Sequence, residues 1–186
     1  MNVVRAISSR LSRLVLSARS MLIVCIQGCK TGRGCKLSIG VRLRKTDGAW
    51  LALGNEVVID RYADITVKHG SLQIGNRTYI GQFCVITARD CIRIGNDCLV
   101  AEHVTIRDQD HLFEFGTITA QGGFTSAPIS IGNNVWIGAK ATVTKGVRIG
   151  DNAVIGANAV VTCDIPANSV AVGAPARVIR TMEVAQ

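Results

Sequence analysis

Ile131, Ile137, Val143, Ile149, Ile155 and Val161 recur at intervals of six without a slip. Gly follows the aliphatic residue at Gly132, Gly138, Gly150 and Gly156, and Ala stands three residues after the Gly at Ala141, Ala153 and Ala159. An α-helix repeats its apolar positions every ~3.6 residues and an ordinary strand every ~2, so this period fits neither. It fits the hexapeptide repeat of a parallel β-helix, in which three short strands and three corners make one triangular coil of about 18 residues. The recurring aliphatic side chain then points into the prism. The segments Gly95-Asn96-Asp97, Gly132-Asn133-Asn134 and Gly150-Asp151-Asn152 are expected at corners, Gly because it adopts positive φ freely and Asn or Asp because they tolerate it.

The beat also runs upstream through Leu53-Ile59-Ile65, Ile74-Ile80-Ile86 and Ile94-Val100-Ile106, three further coils of three faces each. Spacings of nine between Ile65 and Ile74, and of eight between Ile86 and Ile94, place small irregularities at one corner. The largest break is between Ile106 and Ile131, where 25 residues replace six and 25 − 6 = 19 must leave the coil. Long excursions from a compact scaffold are commonly functional. This one carries Asp108, Asp110 and His111, with Phe113 and Phe115 expected to anchor it on the prism. Before Leu53, Leu37-Ser38-Ile39-Gly40 and Val41-Arg42-Leu43 form an imperfect first coil, as a capped solenoid requires.

The resulting division is a leader over residues 1–36, a β-helix over residues 37–180 with the loop 107–128 inserted, and a tail over 181–186. Aromatic residues are 4% of the chain, which suits a narrow prism filled by Ile, Val and Ala. Seven scattered cysteines are an odd number and form no disulfide framework, so a reducing compartment, the cytoplasm, is expected. Cys84 and Cys98 occupy positions where a hexapeptide buries a small residue.

Residues 1–46 hold ten Lys or Arg and no acid, whereas residues 47–186 hold eleven basic and thirteen acidic residues, a net charge of 11 − 13 = −2. The stretch Val3 to Leu16 alternates Arg with apolar residues at roughly three-residue spacing, as a short basic amphipathic helix does. Such a helix packs on the flank of the solenoid with Arg in water, or makes peripheral contact with an anionic membrane at its inner face. Arg13 and Arg19 interrupt it, and the clean apolar run Met21 to Ile26 is far below the ~20 residues that span a bilayer. That run is also short for a signal sequence, with no clear small-residue cleavage site. Nucleic-acid binding is disfavoured, since the basic segment lacks interleaved aromatics or a reading motif.

Chemistry has few candidates, because the chain contains three histidines. His69 falls in a short break beside Gly70, where a solvated turn histidine is expected. His103 stands within Val100-Ala101-Glu102-His103-Val104, at a corner or against a neighbouring subunit. His111 lies in the long loop beside Asp110, and a neutral imidazole there can take a proton from an attacking hydroxyl or amine. The alternative is an exposed loop histidine without a chemical role. Asp108-Gln109-Asp110-His111 supplies too few spaced ligands for a metal site, and zinc spacings are absent. A cysteine nucleophile is disfavoured, since no Cys neighbours a His and the cysteines follow core phases.

The ordered succession Ile131-Gly-Asn-Asn-Val-Trp-Ile-Gly138, Val147-Arg-Ile-Gly-Asp-Asn-Ala-Val-Ile-Gly-Ala157, Val161-Thr-Cys-Asp-Ile-Pro166 and Val172-Gly-Ala-Pro-Ala-Arg-Val-Ile-Arg180 resembles the hexapeptide-repeat acyltransferase family. The similarity covers roughly Leu53 to Arg180. It is greatest to the branch holding maltose and galactoside O-acetyltransferases and the O-acetyltransferases of surface polysaccharides. The resemblance implies an all-β, left-handed parallel β-helix, assembled as a homotrimer with active sites between subunits. It further implies acetyl-CoA as acyl donor, a carbohydrate acceptor and no metal.

Carried onto this chain, the family's general base falls on His111, which would deprotonate a hydroxyl that attacks the thioester directly. The resemblance assigns the oxyanion donor to the backbone N–H of Ala139 and a cleft wall to Trp136. Gly156 and Ala157 would let the pantetheine arm lie close, Arg177 and Arg180 would meet CoA phosphates, and Asp110 would join the acceptor site. Two positions depart from the pattern: an acceptor-binding Asn aligns with Gln82, and a basic CoA-contacting residue with Cys163. The implied function is O-acetylation of a sugar or surface glycan. Acetylation of a small molecule or antibiotic, and a non-catalytic β-helix binding protein, are the alternatives.

Overall fold

The computed structural model describes residues 28–46, 48–116 and 118–182. Most of the basic leader, residues 1–27, lies outside the described residues, as do the last four of the tail. From Lys30 onward the described residues form an all-β, left-handed parallel β-helix with one short 3-10 turn among them.

Three sheets form the sides of the prism. The first face stacks Lys30–Thr31, Trp50–Leu53, Ser71–Ile74, Cys91–Ile94, Ile129–Ile131 and Arg148–Ile149. The second stacks Lys36–Leu37, Val58–Ile59, Tyr79–Ile80, Leu99–Val100, Trp136–Ile137, Val154–Ile155 and Ser169–Val172, and ends with Arg177–Thr181 turned antiparallel onto the last of these. The third stacks Arg42–Lys45, Asp64–Val67, Val85–Ala88, Thr105–Arg107, Thr142–Val143 and Val160–Val161. The six-residue beat maps directly onto these faces: Leu53, Ile74, Ile94, Ile131 and Ile149 line the first, Ile59, Ile80, Val100, Ile137 and Ile155 the second, and Ile65, Ile86, Ile106, Val143 and Val161 the third. All of them are buried. Burying each such side chain stabilises the coil by ~1.5–3 kcal/mol relative to leaving it in water. The imperfect first coil joins the same core through Leu37, Val41 and Leu43.

The corners differ from the sequence expectation in one respect. In Gly95-Asn96-Asp97, Gly132-Asn133-Asn134 and Gly150-Asp151-Asn152 the left-handed residue is the third, Asp97, Asn134 or Asn152, and not the Gly. Gly is required at these positions for space. A Cβ on Gly95 would stand 2.4 Å from the carbonyl oxygen of Gly132, and one on Gly75 would stand 2.5 Å from the carbonyl carbon of Gly95. The middle Asx residue bonds the coils to each other. Asn55, Asn76, Asn96, Asn133 and Asp151 each accept, through Oδ1, the backbone N–H of the residue one coil earlier, at 2.7–2.9 Å. A second corner also holds large residues in the left-handed region: Tyr62 (φ 60°), Phe83 (φ 57°) and His103 (φ 58°). Their rings stack in sequence, with centroids 5.3 and 5.0 Å apart.

The 25-residue break leaves the third face after Arg107 as an antiparallel hairpin, Gln109–His111 against Phe124–Ser126. The expected anchoring role of Phe113 and Phe115 is not observed: they are 76% and 100% exposed. The hairpin ladder ends near the hydrogen bond from Leu112 N–H to the Gly123 carbonyl, and Ile118, in the segment between the strands, is exposed as well.

Ile86→Ala is expected to lower unfolding free energy by ~2–5 kcal/mol in denaturant titration, since the tightly stacked coils limit collapse around the cavity. Gly95→Ala should destabilise comparably despite adding a methyl group, because its neighbour is backbone. A neutral effect would show that coil spacing relaxes freely.

Candidate active site

Asp108 organises the hairpin. It is fully buried, and its carboxylate accepts the backbone N–H groups of Arg89 and Asp90, both at 2.8 Å, on the coil below. Its own carbonyl accepts the N–H of Ala127 at 3.0 Å, where the excursion returns. One residue thus fixes both roots of the excursion. Burial pushes the Asp108 carboxyl up, and the N–H groups of Arg89, Asp90 and Cys91 pull it back in part.

The hairpin register sets His111 opposite Phe124, with ring centroids 4.3 Å apart and planes inclined by 39°. The Arg89 guanidinium stands 4.5 Å from the centroid of Phe124. His111 therefore belongs to a stack, imidazole on phenyl and phenyl under guanidinium, whose last member is rooted in the rigid coil. Side chains alternate along an extended strand, so Asp110 is directed away from His111. It pairs with Lys145, on the turn between Val143 and Val147. Asp110 is thus engaged by an ammonium rather than by the imidazole.

Trp136 projects outward from the second face and is 52% exposed. In register with it lie Leu99 and Val154, and Val154 in turn pairs with Val170, which pairs with Arg180. Three strand steps of ~4.8 Å separate Trp136 from Arg180, a track of roughly 14 Å. Arg177 lies on the same terminal strand, exposed, with one guanidinium N–H on the carbonyl of Ala176 at 2.9 Å. Ala139 and Ala157 follow Gly138 and Gly156 at the corner between the second and third faces, one coil apart. The Ala139 carbonyl accepts the Asn158 N–H at 2.9 Å, and the Ala139 N–H has no bond within the described residues. Gly156 also serves the scaffold, since a Cβ there would stand 2.7 Å from Cγ1 of Val172. Gln82 occupies the same corner two coils earlier than Ala139, half-buried, with its carbonyl accepting the His103 N–H at 3.0 Å.

His111 and the Trp136 track lie on different faces. The second and third faces share the corner of Gln82, Ala139 and Ala157, while His111 stands out on the hairpin. Among the described residues no group of His, Cys, Asp and Glu could hold a metal ion. The two buried thiols are poor nucleophile candidates: burial pushes Cys84 up to about 11 and raises Cys98 as well, and each donates to a carbonyl of a neighbouring coil. Sequence reasoning missed Phe124 and Arg89. Phe124 carried no signal beyond being aromatic, and Asp108, which the sequence places where the beat stops, gave no sign that its carboxylate binds backbone N–H groups of the coil.

Residues 128–163 match the model of the hexapeptide repeat of succinyl-transferase. The chain is 36% identical over 150 residues to a "Probable acetyltransferase" of Mycobacterium tuberculosis, covering 80% of this chain and 50% of that protein. It is 43% identical over 114 residues to galactoside O-acetyltransferase of Escherichia coli, covering 61% of this chain and 56% of that protein. The chain spans about half the length of these curated relatives. In structure it resembles a hexapeptide-repeat acetyltransferase of Vibrio cholerae solved in complex with acetyl coenzyme A. That match has a TM-score of 0.66 and 23% identity, covering 90% of this chain and 78% of the other. The repeat, the coil and these relatives agree: in sequence and in fold the chain is similar to the hexapeptide-repeat acetyltransferases.

Proposed function

We propose that this protein transfers an acetyl group from acetyl-CoA to a hydroxyl of a sugar or glycan, with His111 as general base. The observation that carries this is the anchoring of His111: the long excursion from an otherwise regular coil is pinned at both roots by Asp108 and stacks His111 on Phe124. The donor lies along the second face, with its acyl end near Trp136 and its phosphates at Arg177 and Arg180, where an extended ligand with an anionic end fits the track. The galactoside O-acetyltransferase relative supports a sugar hydroxyl as acceptor.

The imidazole of His111 removes the acceptor's proton as its oxygen attacks the thioester carbonyl. The tetrahedral oxyanion is met by the unengaged N–H of Ala139. The C–S bond then breaks, and the imidazolium returns its proton to the CoA thiolate, so no acyl-enzyme forms. Gln82 offers an amide to the acceptor from the same corner, and Asp110, held by Lys145, steadies the hairpin strand at the acceptor's edge. His111 and Trp136 lie on separate faces of one coil, which supports completion of the site by a neighbouring subunit of a homotrimer. The six described cysteines are free thiols, and a cytoplasmic location is proposed on that chemistry. The leader's contact with the membrane inner face remains part of the same proposal.

His111→Ala should lower kcat by ~10²–10⁴-fold while calorimetric acetyl-CoA affinity stays unchanged. Failure of the wild-type chain to bind acetyl-CoA would sink the proposal. Phe124→Ala should lower kcat by roughly 10–100-fold with little change in donor KM, because the imidazole loses its orientation. Phe124→Tyr, which keeps the ring, should restore most of it. Equal rates for Phe124→Ala and wild type would remove the stack from the mechanism.

A further inference from the structure

A groove crosses the outer side of the third face and runs towards the His111 hairpin. It is lined by Arg44, Lys45, Lys68, Arg107, Asp64, Gln109 and the threonines 46, 66 and 87. Four cations face one carboxylate. That carboxylate is already committed, since Asp64 binds the Arg44 guanidinium through both oxygens at 2.8 Å. Among the described residues, the ammonium of Lys45 is hydrogen-bonded to the carbonyl of Ala49, at 3.2 Å, and to no carboxylate. Lys68 and Arg107 are exposed and have no anionic partner among the described residues. Two of these cations, Arg44 and Lys45, belong to the acid-free residues 1–46, while Lys68 and Arg107 belong to residues 47–186, which sum to a net charge of 11 − 13 = −2.

The groove points at the reacting end of the molecule. Val67 pairs with Ala88, so the residues that follow them, Lys68 and Arg89, succeed each other on adjacent coils. Arg89 is the base of the stack that carries His111. Arg107 and Gln109 lead directly into the hairpin, and Gln109 and His111 lie on the same side of one strand, ~7 Å apart along it. Gln109 is 8% exposed, and its Oε1 is a buried acceptor with no donor. A buried amide oxygen without a donor is unfavourable by ~1–3 kcal/mol. Gln109 lines the groove, so a ligand hydroxyl reaching this oxygen would supply the missing donor.

Cations set among threonine hydroxyls and an amide suit a polyhydroxylated anion. The groove has no aromatic side chain on which bases could stack, which argues against single-stranded nucleic acid. We propose that this groove binds an acidic stretch of the glycan acceptor, bearing carboxylates or phosphodiesters, and presents a neighbouring hydroxyl to His111. The proposal rests on the acetyl-transfer reading and adds to it the charge of the acceptor.

The test uses the full chain with acetyl-CoA and three probes: an oligogalacturonate, a glycosylated glycerol-phosphate oligomer and a neutral oligogalactan. CoA release and calorimetric affinity are both read. At least one anionic probe should exceed the neutral one in kcat/KM and in affinity by ~10-fold at low ionic strength, with the advantage shrinking as salt is raised. Which anion wins assigns the group recognised. The K68E/R107E pair should abolish the advantage without altering acetyl-CoA affinity or the thermal transition, and the milder K68Q/R107Q pair should reduce it. Equal handling of neutral and anionic probes, or an advantage that survives both pairs, overturns the proposal while leaving acetyl transfer intact. Charge-dependent binding without transfer to any probe upholds the groove and counts against the catalytic reading.

Discussion

The distance between successive coils is the constraint on which the rest of this structure depends. Parallel ladders hold neighbouring strands ~4.8 Å apart, and at the corner between the first and second faces that spacing leaves no room for a Cβ. The carbonyls of Gly95 and Gly132 occupy the volume that side chains on Gly75 and Gly95 would need. Once the backbones approach this closely, the Asx residue after each Gly comes within reach of the coil before it. The run of Oδ1 acceptors from Asn55 to Asp151 then satisfies N–H groups that a corner would otherwise leave unpaired.

The same constraint decides where chemistry can reside. The three faces are saturated with ladder bonds, and their inward positions are filled by aliphatic side chains that cannot titrate. A reactive group therefore has to come from an outward position on a face or from a departure at a corner. The departure after Arg107 adds 19 residues without disturbing the coils around it, because Thr105–Arg107 still pairs with Thr142–Val143 on the far side of the break. Asp108 makes that continuity workable. It lies at the register position of Ala88, is as buried as a core residue, and spends its carboxylate on the backbone of Arg89 and Asp90.

The faces of the prism were legible in the sequence to the residue, because a hydrophobic side chain at each strand centre is what any hexapeptide coil must bury. Leu53-Ile59-Ile65 and its successors needed no further information. The corners were less legible. Glycine there was expected for its positive φ, whereas the coil uses it for proximity and gives the left-handed conformation to the residue two positions on. Tyr62, Phe83 and His103 accept that conformation although each β-carbon makes it unfavourable by ~1–2 kcal/mol. Their stacking returns ~0.5–1.5 kcal/mol per pair, a relation between residues about twenty apart that no local pattern discloses. The excursion was legible as a loop, and its folding into an antiparallel hairpin was not. Phe113 and Phe115 looked like anchors because they are aromatic and near His111, yet the strand pairing that begins at Gln109 carries them past the prism into solvent.

The manner in which His111 is held bears on how such a site can vary. In many general-base arrangements a carboxylate on the imidazole fixes its orientation, and acceptor and base are then tuned together through one charge. Here the neighbouring Asp110 is taken by Lys145, and the imidazole is oriented by a ring that belongs to the hairpin and by Arg89, which belongs to the coil. Orientation is thereby supplied by stacking, and charge is left free to serve recognition. Arg89 sits at the junction of the two functions, since its guanidinium supports Phe124 while its position continues the line of cations from Lys68. Under the proposed acetyl transfer, a change in acceptor charge is accommodated along the third face, at Arg44, Lys68 or Arg107, without altering His111, the proposed base.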